Sequence, residues 1–306
     1  MSTSLLKVSS APHIHSKNST SSIMLKVFIA LLPAAGAGVY FYGMDALMVI
    51  IASMVSCILS EAVWQKLVGQ KVTINDFSAA VTGLMIALVL PKNVPLWIPV
   101  IGGIFAIIIV KQFFGGLGQN IMNPALATKA FLMATWAGIL TRPVTDAVTS
   151  ASTATSASQQ IVALKDIFIG QAAGNIGETS ILAILIGGIF LIVTGIVDVK
   201  GPLSYLLTVI LMFMIAKSIG IFSEDMLREI MVGATMLGIF FMANDYATIP
   251  YTGLGKIIFG IGCGVLTVVL KVYAYNSQSA YAAIIIMNLF TPLIDRFTTP
   301  KVVVNQ

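Results

Sequence analysis

Apolar runs near twenty residues long recur along almost the whole chain, as in IMLKVFIALLPAAGAGVYFYG from Ile23 and ALMVIIASMVSCILSEAVW from Ala46. A helix needs about 20 such residues to cross the hydrocarbon core of a bilayer. A soluble domain of this size would need a polar surface, with charged residues at about a quarter of the chain. Here charged residues make up 9% and hydrophobic ones 58%, and the mean hydropathy is +0.97. The pattern predicts an all-α polytopic membrane protein.

About ten membrane segments follow from the pattern, at 23–42, 45–65, 77–90, 95–114, 121–140, 179–197, 202–222, 229–243, 254–275 and 280–294. The third, eighth and tenth are short for a full crossing. Each is followed by breakers: PKNVP, NDYATIP and TPLID. Broken helices at membrane depth survive where their free backbone groups face protein or a cavity, so they point to sites. Cys57 and Cys263 both fall inside apolar runs and read as buried thiols rather than a disulfide or a metal pair.

The net charge of +5 is no sign of nucleic acid, because membrane proteins gather Lys and Arg on the cytoplasmic side. Placing the N-terminus inside puts eleven of the 17 Lys and Arg on or near that face, among them Lys26, Lys66, Lys111 and Lys129. Six, including Lys92 and Arg142, fall outside. Both termini are therefore expected in the cytoplasm. The organisation expected is a tail at 1–22, membrane units at 23–140 and 179–295, an extracytoplasmic loop at 141–178 and a second tail at 296–306. The first tail has no signal-peptide core.

The membrane units resemble each other. FSAAVTGLMIALVLPKNVPLW, a glycine-rich run ending IIIVKQFF, and QNIMNPALA have counterparts in VGATMLGIFFMANDYATIPYT, a run ending VVLKVY, and IMNLFTPL. Five segments per unit make the two units run oppositely through the membrane. Such inverted repeats hold their sites at the midplane between the units, on broken helices.

Three stretches carry chemistry. In FFGGLGQNIMNPALA (113–127) the glycines allow a close turn that leads Asn120 and Asn123 inward, with Pro124 suited to the first position of the next helix. No strand precedes it, which excludes a phosphate loop. An Asn carries both donor and acceptor and matches the edge of a planar heterocycle; it also caps helices. In FFMANDYATIP (240–250), Asp245 follows a run of mostly apolar residues and is either a functional carboxylate or a shallow helix cap. Glu61 and Asp76 lie closer to polar loop residues and read as interfacial. The third stretch, TDAVTSASTATSASQQ (145–160), is hydroxyl-rich and holds one acid, Asp146. No His stands beside it to activate a hydroxyl, so it reads as a recipient of another enzyme's chemistry.

Together these stretches resemble the RnfD/NqrB family of membrane subunits of ion-translocating oxidoreductases, over essentially the whole chain. FGGLGQNIMNPA is similar to that family's FGG-L-G-x-N-x-x-NPA signature, and FMANDYATIP to its MATDP segment, departing at Asn244 and Tyr246. DAVTSAS resembles the D-x-x-S/T-G-A-T sequence read by ApbE-type flavin transferases. The length favours RnfD over the longer NqrB. The resemblance implies FMN joined by a phosphoester to the loop, with Asp146, Thr149, Ser150 and Ala151 as the transferase's recognition sequence. Ser150 stands where glycine is usual. Strict register puts the bond on Ser152, residue preference puts it on Thr153, and Thr155 is a remote third.

By the same resemblance a non-covalent riboflavin sits in the membrane domain, with Asn120, Asn123 and Asp245 as its polar contacts. The expected function is a flavin-carrying subunit of a bacterial cytoplasmic-membrane complex that couples electron transfer between ferredoxin and NAD to sodium or proton translocation. The chain has no dinucleotide fingerprint and no cysteine cluster. It is thus expected to be inactive alone, its partners being a second flavinylated subunit, two membrane subunits, and iron–sulfur and NADH-binding subunits. The alternatives are an inverted-repeat solute transporter or channel, and a scaffold for other subunits.

Overall fold

The computed structural model describes residues 19–141, 168–170, 174–221, 233–274 and 278–300. The first unit comprises α1 (Thr20–Tyr42), α2 (Met44–Leu67), α3 (Ser78–Leu88), α4 (Trp97–Ile104, continued by a π-helical stretch Phe105–Gln112) and α5 (Pro124–Leu140). The second comprises α6 (Ile181–Val193), α7 (Lys200–Ser218), α8 (Gly233–Leu237, continued by a π-helical stretch Gly238–Met242), α9 (Gly253–Ala274) and α10 (Ser279–Thr298). No strand occurs among the described residues. Five helices, α1, α2, α7, α9 and α10, are long and apolar enough to cross a membrane. The protein is an all-α, multi-pass membrane protein.

Local chemistry explains the boundaries. Ser19 caps α1 by accepting the Ser22 amide at 3.2 Å, and Ser180 caps α6 by accepting the Ala183 amide at 3.3 Å. Gly43, at φ 70°, turns α1 directly into α2. Two expectations about length need correction. Segment ten is not short: α10 has 20 residues and runs through Pro292. The proline only removes one amide, and the Thr291 hydroxyl beside it donates to the Thr248 carbonyl at 2.9 Å, tying the helix to the 243–252 connection. Segment six is shorter than expected. Its helix has 13 residues because the Ser180 cap takes the start of the apolar run and a turn at Gly195, φ 70°, takes its end.

Small residues bring the helices together. A Cβ on Gly103 of α4 would lie 2.7 Å from Ser56 Oγ of α2, and one on Gly264 of α9 would lie 2.6 Å from Thr208 Cβ of α7. The fourth helix thus packs closely on the second in both units. The first helices of the two units, α1 and α6, pack on each other, as do the last, α5 and α10. Cys57 and Cys263 are free and buried, as their apolar surroundings implied.

Candidate functional site

A partly open cavity lies between the two units. Its wall includes Ile23 at the start of α1, Ser78 at the start of α3 and Pro124 at the start of α5, with Lys111 at the end of α4, Leu191 at the end of α6 and Phe241 near the end of α8. Three helix beginnings and three helix ends therefore meet there. The cavity sits at one end of the bundle, the end that carries the N-terminus of α1, rather than midway along it as the repeat suggests. The half-length α3 and the turn before α5 are what bring polar groups to it.

Asn120, Asn123 and Asp245 all line this cavity, although Asp245 is 122 positions from Asn123 in the chain. Gly115, Gly116 and Gly118 have φ of 111°, 95° and 88°, values that side chains avoid, and they form the close turn that delivers both asparagines. Asn120 is 9% exposed, and its buried Oδ1 has no hydrogen-bond partner. Asn123 has two roles at once. Its Oδ1 accepts the Ala125 and Leu126 amides at 2.9 and 3.3 Å and caps α5, while its Nδ2 donates to the Met242 carbonyl at 3.3 Å. The helix-cap reading of Asn123 is therefore correct, and it is compatible with a place in the cavity wall.

Asp245 lies in the turn after α8, its carboxylate beside the Ala247 amide and the Thr248 hydroxyl. A π-helical turn leaves carbonyls without their usual partners, and here Asn244 Nδ2 donates to the Ile239 and Phe240 carbonyls. That satisfies the distorted end of α8 and orients the next residue, Asp245. Val81, Leu117, Phe240 and Phe241 give the cavity apolar walls.

Three further polar residues were not foreseen at this site. Lys111 lines the cavity with 1% exposure and donates to Glu61 Oε1 and Ser78 Oγ, each at 2.7 Å. Glu61 is itself 1% exposed, so it is an internal ion-pair partner and not the interfacial acid expected. Gln112 Nε2 also reaches Glu61 Oε1 at 3.0 Å. The wider π-helical turn lets consecutive residues, Lys111 and Gln112, serve the same carboxylate. Asp76 behaves as expected near a helix end, accepting the Ser78 amide at 2.8 Å. Lys129, assigned to the cytoplasmic face by the charge count, is also buried. Asp146, Thr149, Ser150, Ala151, Ser152 and Thr153 lie outside the described residues.

Residues 7–304 match the profile of the NQR2, RnfD, RnfE family. The chain belongs to that family. It is 44% identical to the D subunit of the Na(+)-translocating ferredoxin:NAD(+) oxidoreductase complex of Acetobacterium woodii, over 97% of this chain and 95% of the relative. It is 36% identical to the D subunit of the proton-translocating ferredoxin:NAD(+) oxidoreductase complex of Clostridium ljungdahlii, over 97% and 95%. It is 34% identical to the D subunit of an ion-translocating oxidoreductase complex of Methanosarcina acetivorans, over 96% of each. Within this RnfD-type chain, the two motifs that carry the family resemblance, at 113–127 and 240–250, both line one cavity.

Proposed function

We propose that this chain is a flavin-carrying membrane subunit of a complex that couples electron transfer between ferredoxin and NAD to translocation of sodium or protons. The relatives in Acetobacterium and Clostridium bear names of that activity, one for each ion. The observation that carries the flavin reading is the meeting of Asn120, Asn123 and Asp245 in one cavity with a buried, unpartnered Asn120 oxygen. Ligand sites are mostly apolar, with a few convergent polar groups. The cavity has that character, and riboflavin has the donors and acceptors to match it. The Asn120 acceptor suits the imide N–H of the ring, and Asp245 suits a ribityl hydroxyl. The apolar side chains exclude water from the ring. When bound, the flavin supplies the redox chemistry, while these residues hold and orient it.

A second flavin, FMN, is proposed as a phosphoester on Ser152 or Thr153, attached by a flavin transferase that reads Asp146, Thr149, Ser150 and Ala151. That segment follows α5 in the chain. The charge count supports the placement of both termini in the cytoplasm. The relatives' names support assembly into a complex. Its other members are proposed as a second flavinylated subunit, two membrane subunits, and iron–sulfur and NADH-binding subunits.

In-gel fluorescence of the denatured chain tests the reading against the transporter alternative. A flavin-labelled band, lost in Asp146→Ala, supports the redox role. A colourless chain that catalyses solute uptake in vesicles would reverse it.

A further inference from the structure

The buried ion pair beside the cavity is poorly arranged for stability. Glu61 Oε1 accepts from Lys111 Nζ at 2.7 Å, from Gln112 Nε2 at 3.0 Å and from Gln65 Nε2 at 3.4 Å. Its Oε2, equally enclosed, has no hydrogen-bond partner among the described residues. Three donors thus crowd one oxygen while the other is bare. Taking two charges out of water is costly, and an apolar pair of similar volume often stabilises a protein as well or better. A half-satisfied carboxylate in such a place calls for a reason other than stability.

What the arrangement does is fix the Lys111 ammonium. Its Nζ also donates, at 2.7 Å, to the hydroxyl of Ser78, the first residue of α3, and that hydroxyl donates to Asp76 Oδ1 at 2.6 Å. Lys111 and Ser78 line the cavity, whereas Glu61 does not. The pair is therefore oriented, with its positive end at the cavity and its negative end behind, on α2. Both side chains are 1% exposed, so water does little to screen their field. Lys111 is the only cation among the described residues that line the cavity. Two acids stand against it: Asp76, half-buried in the turn before α3 where water screens it, and Asp245 in the other unit.

We propose that Lys111, held by Glu61, raises the reduction potential of the flavin bound in this cavity. Each electron passed on by a reduced iron–sulfur partner adds one negative charge to the ring. The Lys111 ammonium stabilises that charge through its field and keeps its own proton; no bond to the lysine forms or breaks. Charge placed near a flavin ring is a general means by which proteins set its electronics. Glu61 is a positioning residue, which holds the ammonium in place and tempers its charge from behind. The inference rests on the flavin reading above.

The test is a spectroelectrochemical titration of riboflavin in the purified complex, which requires no turnover. Subtracting the titration of the Asn120→Leu complex isolates the riboflavin transition from those of the other cofactors. Glu61→Gln combined with Lys111→Met removes both charges together and strands neither. This double variant is expected to keep riboflavin at wild-type occupancy but at a lower midpoint potential. Lys111→Arg retains the positive charge and should hold the potential near that of the wild type. An unchanged potential in the double variant, with riboflavin retained, overturns the tuning role and leaves the flavin reading intact. So does an equal fall in Lys111→Arg, which would make shape rather than charge the cause. Loss of riboflavin or of assembly in the double variant also overturns it, by making the pair structural. A wild-type complex without riboflavin would instead overturn the reading on which the inference rests.

Discussion

Asn123 Nδ2 and the Met242 carbonyl, 119 positions apart in the chain, are joined by a 3.3 Å hydrogen bond across the junction of the two units. The same side chain caps α5 through its oxygen. These roles are separable by substitution. Asn123→Asp keeps an acceptor for the cap but turns a carboxylate toward the Met242 carbonyl. Asn123→Ala loses both. A lost N-cap costs about 1 kcal/mol, so thermal unfolding of the purified complex should show a lower midpoint for Asn123→Ala. Asn123→Asp should retain α5 yet lose the cavity's ligand, which flavin extraction reads.

The Glu61–Lys111 pair makes a second prediction. Removing one partner of a buried pair strands the other charge, at about 3–5 kcal/mol. Glu61→Gln should therefore be strongly destabilising, whereas Glu61→Gln with Lys111→Met should recover most of the loss. A double-mutant cycle on unfolding in detergent checks it; additive effects would show that the two side chains do not interact.

Glycine substitutions probe the packing. A Cβ on Gly260 of α9 would lie 2.8 Å from the Gly201 carbonyl of α7, while one on Gly36 of α1 meets nothing within 4 Å. Overpacking typically costs about 1–3 kcal/mol, so Gly260→Ala should lower the yield and thermal midpoint of the complex. Gly36→Ala should be neutral or stabilising by up to about 1 kcal/mol, from helix propensity alone. Equal effects at the two sites would contradict the close α7–α9 contact.

For the flavin-attachment segment, peptide mass spectrometry of the flavopeptide distinguishes the two hydroxyls. Strict register predicts that Ser152→Ala loses FMN and Thr153→Ala keeps it. The opposite result would assign the bond to the residue preferred by type.

The ten segments are legible in the sequence because apolar run length carries them, and the grouping of Asn120, Asn123 and Asp245 because the family resemblance aligns their motifs. Segment lengths are less legible. A proline such as Pro292 need not break its helix, and the Ser180 cap and the Gly195 turn end α6 inside an apolar run. Glu61 reads as interfacial because it stands near polar residues in the chain, and the charge count puts Lys111 on or near the cytoplasmic face. The available signal is their opposite charge within apolar runs of packed helices, α2 and α4. The depth of the cavity is hidden for a similar reason: the repeat shows which segments converge, while helix starts and ends decide at which end they do so.

Acid extraction of the purified complex, with chromatography of the released flavin, tests the central claim most directly. The wild type should release riboflavin stoichiometric with this chain. The Asn120→Leu and Asp245→Ala complexes should release none while keeping FMN covalently attached. Absence of riboflavin from the wild type, or full release from both variants, would contradict the assignment of the cavity to a flavin.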